Sequence, residues 1–285
     1  MNSKPEELFG SRIRIKTRKP SGDEPPEQPR QPVAIGVPLT KLIKRRLVVT
    51  PDIVMLHQPR SVGAERFRRL RTVLVNLPDP PAQVVVVSGA APGDGKTTVA
   101  INLALAFASD KKERVLLLDA DLRRPSISSK LEPRPQLGLA EVLSGDAPLD
   151  HAVMRLQNSQ LEILPATVGL EDPLDLLASA GTGDLIQTLR GRYSRIVIDT
   201  PPAVAFTDAD ALGAFADGVL LVARAGLTPS ARYQQAVESL SSARLLGAVL
   251  NDSRFSLADW HRYGGDDYAT YYRGKDAART RDEDA

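Results

Sequence analysis

Eight consecutive residues, Ala90-Ala91-Pro92-Gly93-Asp94-Gly95-Lys96-Thr97, place a glycine-bearing turn directly before a lysine and a hydroxyl. The run fits the phosphate-binding Walker A pattern, with alanine in place of its first glycine. Small residues let backbone N–H groups curl around phosphate oxygens, and a helix opening at Lys96 adds the positive end of its dipole. Lys96 can reach the β- and γ-phosphates of a nucleotide, and the Thr97 hydroxyl can ligate magnesium. Ala91, Pro92, Gly93, Asp94, Gly95, Lys96, Thr97 and Thr98 are therefore the expected nucleotide-binding set.

Two acidic motifs follow apolar runs. Val115 to Leu118 leads into Asp119-Ala120-Asp121, and Ile196 to Ile198 leads into Asp199-Thr200-Pro201-Pro202. In open α/β sheets ligands bind at the carboxyl ends of the strands, so these carboxylates can converge on the glycine turn. Magnesium takes hard oxygen ligands, which suits Thr97 and Asp199. Asp119 can position the metal or take a proton from an incoming hydroxyl. Asp121 can orient either group or pair with Arg123 or Arg124. A single aspartate of this kind could be an ordinary loop cap; the combination with a phosphate loop weakens that reading, least of all for Asp121.

The elements that must hold these residues are legible as short apolar runs alternating with helical stretches. Strands are expected over 83–87, 114–118, 161–164, 195–198, 218–222 and 246–250. Helices are expected over 61–77, 96–108 and 229–243, and over 174–189 with a break near Gly181 and Gly183. Unbroken apolar strands between helices imply an α/β fold, a mainly parallel sheet covered on both faces. With the glycine turn, that is a P-loop NTPase architecture. Residues 1–40, basic and proline-rich, are expected to be disordered. A nucleotide-binding domain is expected over 41–253, and a flexible tyrosine-rich tail over 254–285.

Composition excludes several chemistries. The 285-residue chain has no cysteine, so disulfides, thiolate metal sites and cysteine nucleophiles are ruled out. His57, His151 and His261 show no metal-ligand spacing. A net charge of +2 gives no global argument for nucleic-acid binding. No apolar run is long enough for a signal peptide or a membrane span, so a cytoplasmic protein is expected. Basic residues such as Arg12, Arg14, Lys16, Lys44, Arg45 and Arg46 read first as solvated charge, second as contacts to an acidic partner or lipid.

The runs SGAAPGDGKTT, VLLLDADLRRP and IVIDTPP resemble the Walker A, A′ and B motifs of bacterial tyrosine kinases, the autokinases of capsule and exopolysaccharide synthesis. The resemblance covers about residues 61–272 and implies the fold shared with the ParA/MinD ATPases. It implies ATP and Mg2+ as cofactors, with Lys96, Asp119, Asp121 and Asp199 catalytic and Thr97, Asp119 and Asp199 at the metal. Asn251 falls where the family carries an asparagine near the adenine. Glu65-x-x-Arg68-x-x-Arg71 resembles the helix through which subunits pack into a ring, although residues three apart can also pair within one helix.

Four of the six tyrosines, Tyr263, Tyr268, Tyr271 and Tyr272, lie in the polar tail. They are the expected phosphoacceptors, presented to a neighbouring subunit, with partial packing of the tail as the plainer alternative. The resemblance further implies a homo-oligomer, a phosphotyrosine phosphatase and a separate membrane-spanning polysaccharide co-polymerase that recruits and activates the kinase. No nucleic acid is expected. Two other functions fit a phosphate loop: a ParA/MinD-like ATPase switch, or a non-catalytic nucleotide-binding regulator of polysaccharide export. Ala91 stands where the switch ATPases usually carry a lysine, which counts against the first.

Overall fold

The computed structural model describes residues 43–48, 50–78, 82–167 and 169–253. The proline-rich N-terminal region and the tail with Tyr263, Tyr268, Tyr271 and Tyr272 lie outside these residues. In chain order the elements begin with β1 (Ile43–Leu47), α1 (Val54–His57) and α2 (Val62–Val75). Then come β2 (Val84–Gly89), α3 (Lys96–Ala108), β3 (Val115–Asp119) and β4 (Leu131–Glu132). α4 (Leu139–Leu143), α5 (Leu149–Ala152), β5 (Met154–Leu156), β6 (Leu161–Leu164), α6 (Leu174–Leu177) and α7 (Ala180–Arg192) follow. The last part holds β7 (Arg195–Asp199), α8 (Asp208–Gly213), β8 (Gly218–Arg224), α9 (Ser230–Ser239) and β9 (Leu245–Asn251).

The strands form one sheet in the order β4-β1-β5-β6-β3-β7-β2-β8-β9. From β6 to β9 all neighbours are parallel, while β5 runs antiparallel to β6 and β4 antiparallel to β1. Side chains alternate between the two faces with period two. Val84, Val86, Leu116, Leu118, Ile196 and Ile198 enter a core shared with the helices from α4 to α9. Val85, Val87, Val115, Leu117 and Val197 enter a second core shared with α1, α2 and α3. Two buried faces explain why these strands read as unbroken apolar runs.

The adjacency of β3, β7 and β2 matters most, because each ends at one of the three motifs. In the register Asp119 stands opposite Asp199, and Val87 opposite Asp199 on the other side. α3 is buried almost all round, between the sheet and α2, which its Ala- and Leu-rich sequence permits. Ser61 caps α2 by accepting the Ala64 N–H at 3.2 Å.

Some expectations need correction. The break near Gly181 and Gly183 falls earlier, because α6 ends at Leu177 and Ser179 caps α7 by accepting the Thr182 N–H. Both glycines lie inside α7. The helix expected to reach residue 243 ends at Ser239. β1, β4 and β5 were not foreseen: they are short and mixed in polarity, and are strands only because neighbours satisfy their backbones.

Candidate functional site

The turn between β2 and α3 is built by close approach. A Cβ at Gly89 would press on the Val222 carbonyl at 2.9 Å, so the end of β2 can lie against β8 only as glycine. Gly95 has φ of +90° immediately before the helix, a conformation glycine adopts without strain. Lys96 is buried and donates from Nζ to the Ala91 carbonyl at 3.3 Å, curling back over the loop it follows. Burial lowers its pKa, and the carboxylates of Asp199, Asp94 and Asp121 act the other way.

Asp119 and Asp199 are both fully buried at the ends of neighbouring strands. Asp119 accepts the N–H groups of Asp121 and Ile127, each at 3.2 Å. Burial, then the charge of Asp199, holds its carboxyl well above the usual range. Asp199 has no well-formed hydrogen bond to either carboxylate oxygen. Burial pushes it up to about 7, tempered by the nearby Thr97 hydroxyl and by Lys96. A fully buried carboxylate with two unpartnered oxygens normally costs several kcal/mol, and a cation is the partner such a group lacks.

Magnesium fits this donor set. Asp199, Asp119 and the Thr97 hydroxyl, which lies 3.2 Å from the Ser126 hydroxyl, all offer hard oxygens. Among the described residues no three acidic or histidine side chains form a metal cluster by themselves. The remaining ligands would therefore be water and phosphate oxygens, as is usual for magnesium at nucleotide sites.

Asp121 is only half-buried, and burial raises its pKa. It accepts the Arg124 N–H at 2.9 Å and pairs with neither arginine side chain foreseen for it. Arg123 turns instead to the buried Asp208, at 3.1 Å, and stacks on Phe206 at 4.4 Å. On the other side of the loop a cleft of about 530 Å³ is lined by Phe67, Leu70, Gly93, Gly95, Thr98 and Asn251. It is large enough for a nucleoside. Asn251 donates from Nδ2 to the Asp94 carbonyl at 3.0 Å. Thr98 lines the cleft, but its hydroxyl donates to Asp52 at 2.9 Å, pinning the segment before α2.

On α2, Arg68 pairs with Glu65 at 2.9 Å and Arg71 with Asp110 at 3.3 Å, so the charged face is internally paired within one subunit. Sequence reasoning missed Thr228, Arg224 and Ser126, which carry no motif of their own: Arg224 ends β8, Thr228 follows it, and Ser126 lies in the loop after β3.

A phosphate loop at the end of β2, flanked by buried carboxylates at the ends of β3 and β7, defines a P-loop nucleotide-binding protein. Residues 82–238 match the AAA domain family. The tyrosine-protein kinase YwqD of Bacillus subtilis is 33% identical over 217 residues, covering 75% of this chain and 91% of that protein. The succinoglycan biosynthesis transport protein ExoP of Rhizobium meliloti is 32% identical over 226 residues; the match covers 77% of this chain but 28% of ExoP. The VpsO kinase domain superposes with a TM-score of 0.61 at 35% identity, covering 69% of this chain and 98% of that domain. The chain belongs to the bacterial tyrosine-protein kinase family.

Proposed function

We propose that this protein transfers the γ-phosphoryl group of ATP to tyrosines in the tail of a neighbouring subunit, and thereby regulates capsule or exopolysaccharide synthesis. The observation that carries the reading is the adjacency of β3, β7 and β2, which delivers Asp119, Asp199 and the phosphate loop to one place. In the reaction the phenolic oxygen attacks the γ-phosphorus, the bond to the β-phosphate oxygen breaks, and the phenolic proton passes to a carboxylate. Tyrosine has a reference pKa of about 10, so its proton must leave as the bond forms.

The loop amides and Lys96 hold the phosphates and offset charge on the transferred group. Magnesium, held by Thr97, Asp199 and Asp119, would supply further charge neutralisation at the phosphates. Asp119 can position the metal or accept the proton. Its full burial and its two backbone hydrogen bonds favour a metal-positioning role, and the half-buried Asp121 is better exposed to an incoming hydroxyl. Asn251 and the cleft beside it would take the nucleoside.

Glu65, Arg68 and Arg71 would form the subunit contact of a ring, exchanging internal pairs for intersubunit ones. Phosphates added to the tail would loosen that ring by like-charge repulsion. Among the described residues no helix is long and apolar enough to cross a membrane. Recruitment to the inner face of the membrane would rest on a separate membrane-spanning co-polymerase. A phosphotyrosine phosphatase would reset the cycle.

The test is intact-mass analysis after incubation with Mg-ATP, alongside Lys96→Met and a variant with Tyr263, Tyr268, Tyr271 and Tyr272 changed to phenylalanine. Phosphate additions absent from both variants support the reading. A wild type that gains no phosphate after phosphatase treatment, with a membrane activator supplied, favours an ATPase switch or a non-catalytic regulator.

A further inference from the structure

Asp94 occupies an unexpected place for an acid. It lies within the phosphate loop, where a carboxylate facing the ligand would repel it, yet it is almost completely buried. Its two oxygens are used in opposite directions. Oδ2 accepts the Ala91 N–H at 2.7 Å, closing the loop across its own turn. Oδ1 accepts the Thr228 hydroxyl at 2.7 Å, from the segment between β8 and α9. The same Thr228 oxygen accepts the Arg224 N–H at 2.7 Å, so the hydroxyl is fixed from both sides. The Asn251 side chain adds a bond to the Asp94 carbonyl at 3.0 Å.

We propose that Asp94 is a positioning residue which preforms the phosphate loop by tying it to Thr228, so that the β8–α9 segment sets nucleotide affinity without touching the nucleotide. Three observations support this assignment: burial and two short charge-assisted bonds. The nearby Arg224 bridge to Asp252, at 2.9 Å, and to the Gly93 carbonyl, at 3.4 Å, is largely exposed and contributes much less. Charge-assisted hydrogen bonds in a buried site are about twice as strong as neutral ones. A loop that loses one must be ordered by the ligand itself, which appears as lost affinity.

The proposal rests on the nucleotide-binding reading of the loop and not on which hydroxyl accepts the phosphoryl group. It is tested by titrating Mg-ADP calorimetrically into the wild type, Thr228→Val, Thr228→Ser, Asp94→Ala and the double variant Asp94→Ala/Thr228→Val. Melting temperatures are recorded without nucleotide. Thr228→Val, which keeps the shape and removes the hydroxyl, is expected to weaken binding about tenfold. Its melting temperature should fall by only a few degrees, because an Asp94 oxygen and the Arg224 N–H each lose a partner while the fold persists. Thr228→Ser should restore affinity, and the double variant should bind no more weakly than Asp94→Ala, because Thr228 acts through Asp94.

Unchanged affinity in Thr228→Val overturns the proposal while leaving nucleotide binding intact. So does a loss that serine fails to rescue, or one that recurs in full in the Asp94→Ala background. Should Asp94→Ala fail to fold, the valine and serine variants decide alone. A wild type that binds no Mg-ADP overturns the nucleotide reading and this proposal together.

Discussion

Replacing Asp199 by asparagine should stabilise the metal- and nucleotide-free protein above neutral pH, although it removes a residue assigned to the active site. Asp199 is fully buried with both oxygens unpartnered, and burial lifts its carboxyl from 3.8 to about 7. At about 1.36 kcal/mol per pH unit, that rise amounts to up to roughly 4 kcal/mol. Its sign follows from proton binding. Between about pH 4 and 7 the folded chain keeps a proton that the unfolded chain has released. The associated stability is full below about pH 4, declines as pH rises to about 7, and is level beyond. Asp119, raised by burial and by its neighbour, pulls in the same direction. Urea denaturation of both proteins from pH 5 to 8.5 measures the effect. Relative to the variant, the wild type should lose up to roughly 3 kcal/mol between pH 5 and 8. Mg-ADP at pH 8 should shrink or reverse the difference, since a cation neutralises the wild-type carboxylates. Parallel pH profiles, or a variant less stable at pH 8 without metal, would refute the argument that these carboxylates are buried without compensation.

Other substitutions probe separate parts of the site. Gly95→Ala introduces a Cβ that collides with the Asn251 amide at a φ of +90°, and should weaken binding of a fluorescent ATP analogue by at least about tenfold. Tyr193→Phe removes the hydroxyl that donates to the buried Glu162 at 2.6 Å. It should cost about 1–3 kcal/mol in denaturation and leave the number of phosphates added unchanged, because a buried tyrosine is no acceptor. Arg68→Ala breaks a half-exposed pair with Glu65 and a bond to the Pro59 carbonyl, and should change stability by no more than about 2 kcal/mol. Light scattering should nevertheless show a smaller assembly, and an unaltered mass would count against the ring contact. Leu116→Ala, within β3 and fully buried, should cost about 2–5 kcal/mol in the same denaturation assay.

Local chemistry makes much of this protein legible in its sequence. Glycine spacing, the position of Lys96 and Thr97, and aspartates closing apolar runs are properties of neighbouring residues, and they mark the phosphate loop and the carboxylates directly. The central strands were legible for a similar reason, since two buried faces demand the unbroken runs Val84 to Val87 and Val115 to Leu118. β1, β4 and β5 were not, because two to five residues of mixed polarity become strands only when a neighbour supplies their hydrogen bonds. The partners of Asp121 and Arg123 were misjudged on the same ground: adjacency in sequence suggested an ion pair, while the fold offered Arg123 the buried Asp208, 85 residues away. Only the strand order could set Asp119 beside Asp199, leave the oxygens of Asp199 unpartnered, and bring Thr228 to Asp94 across 134 residues. Sequence identifies groups able to bind a nucleotide; long-range packing decides their burial and their partners, and with these their charge.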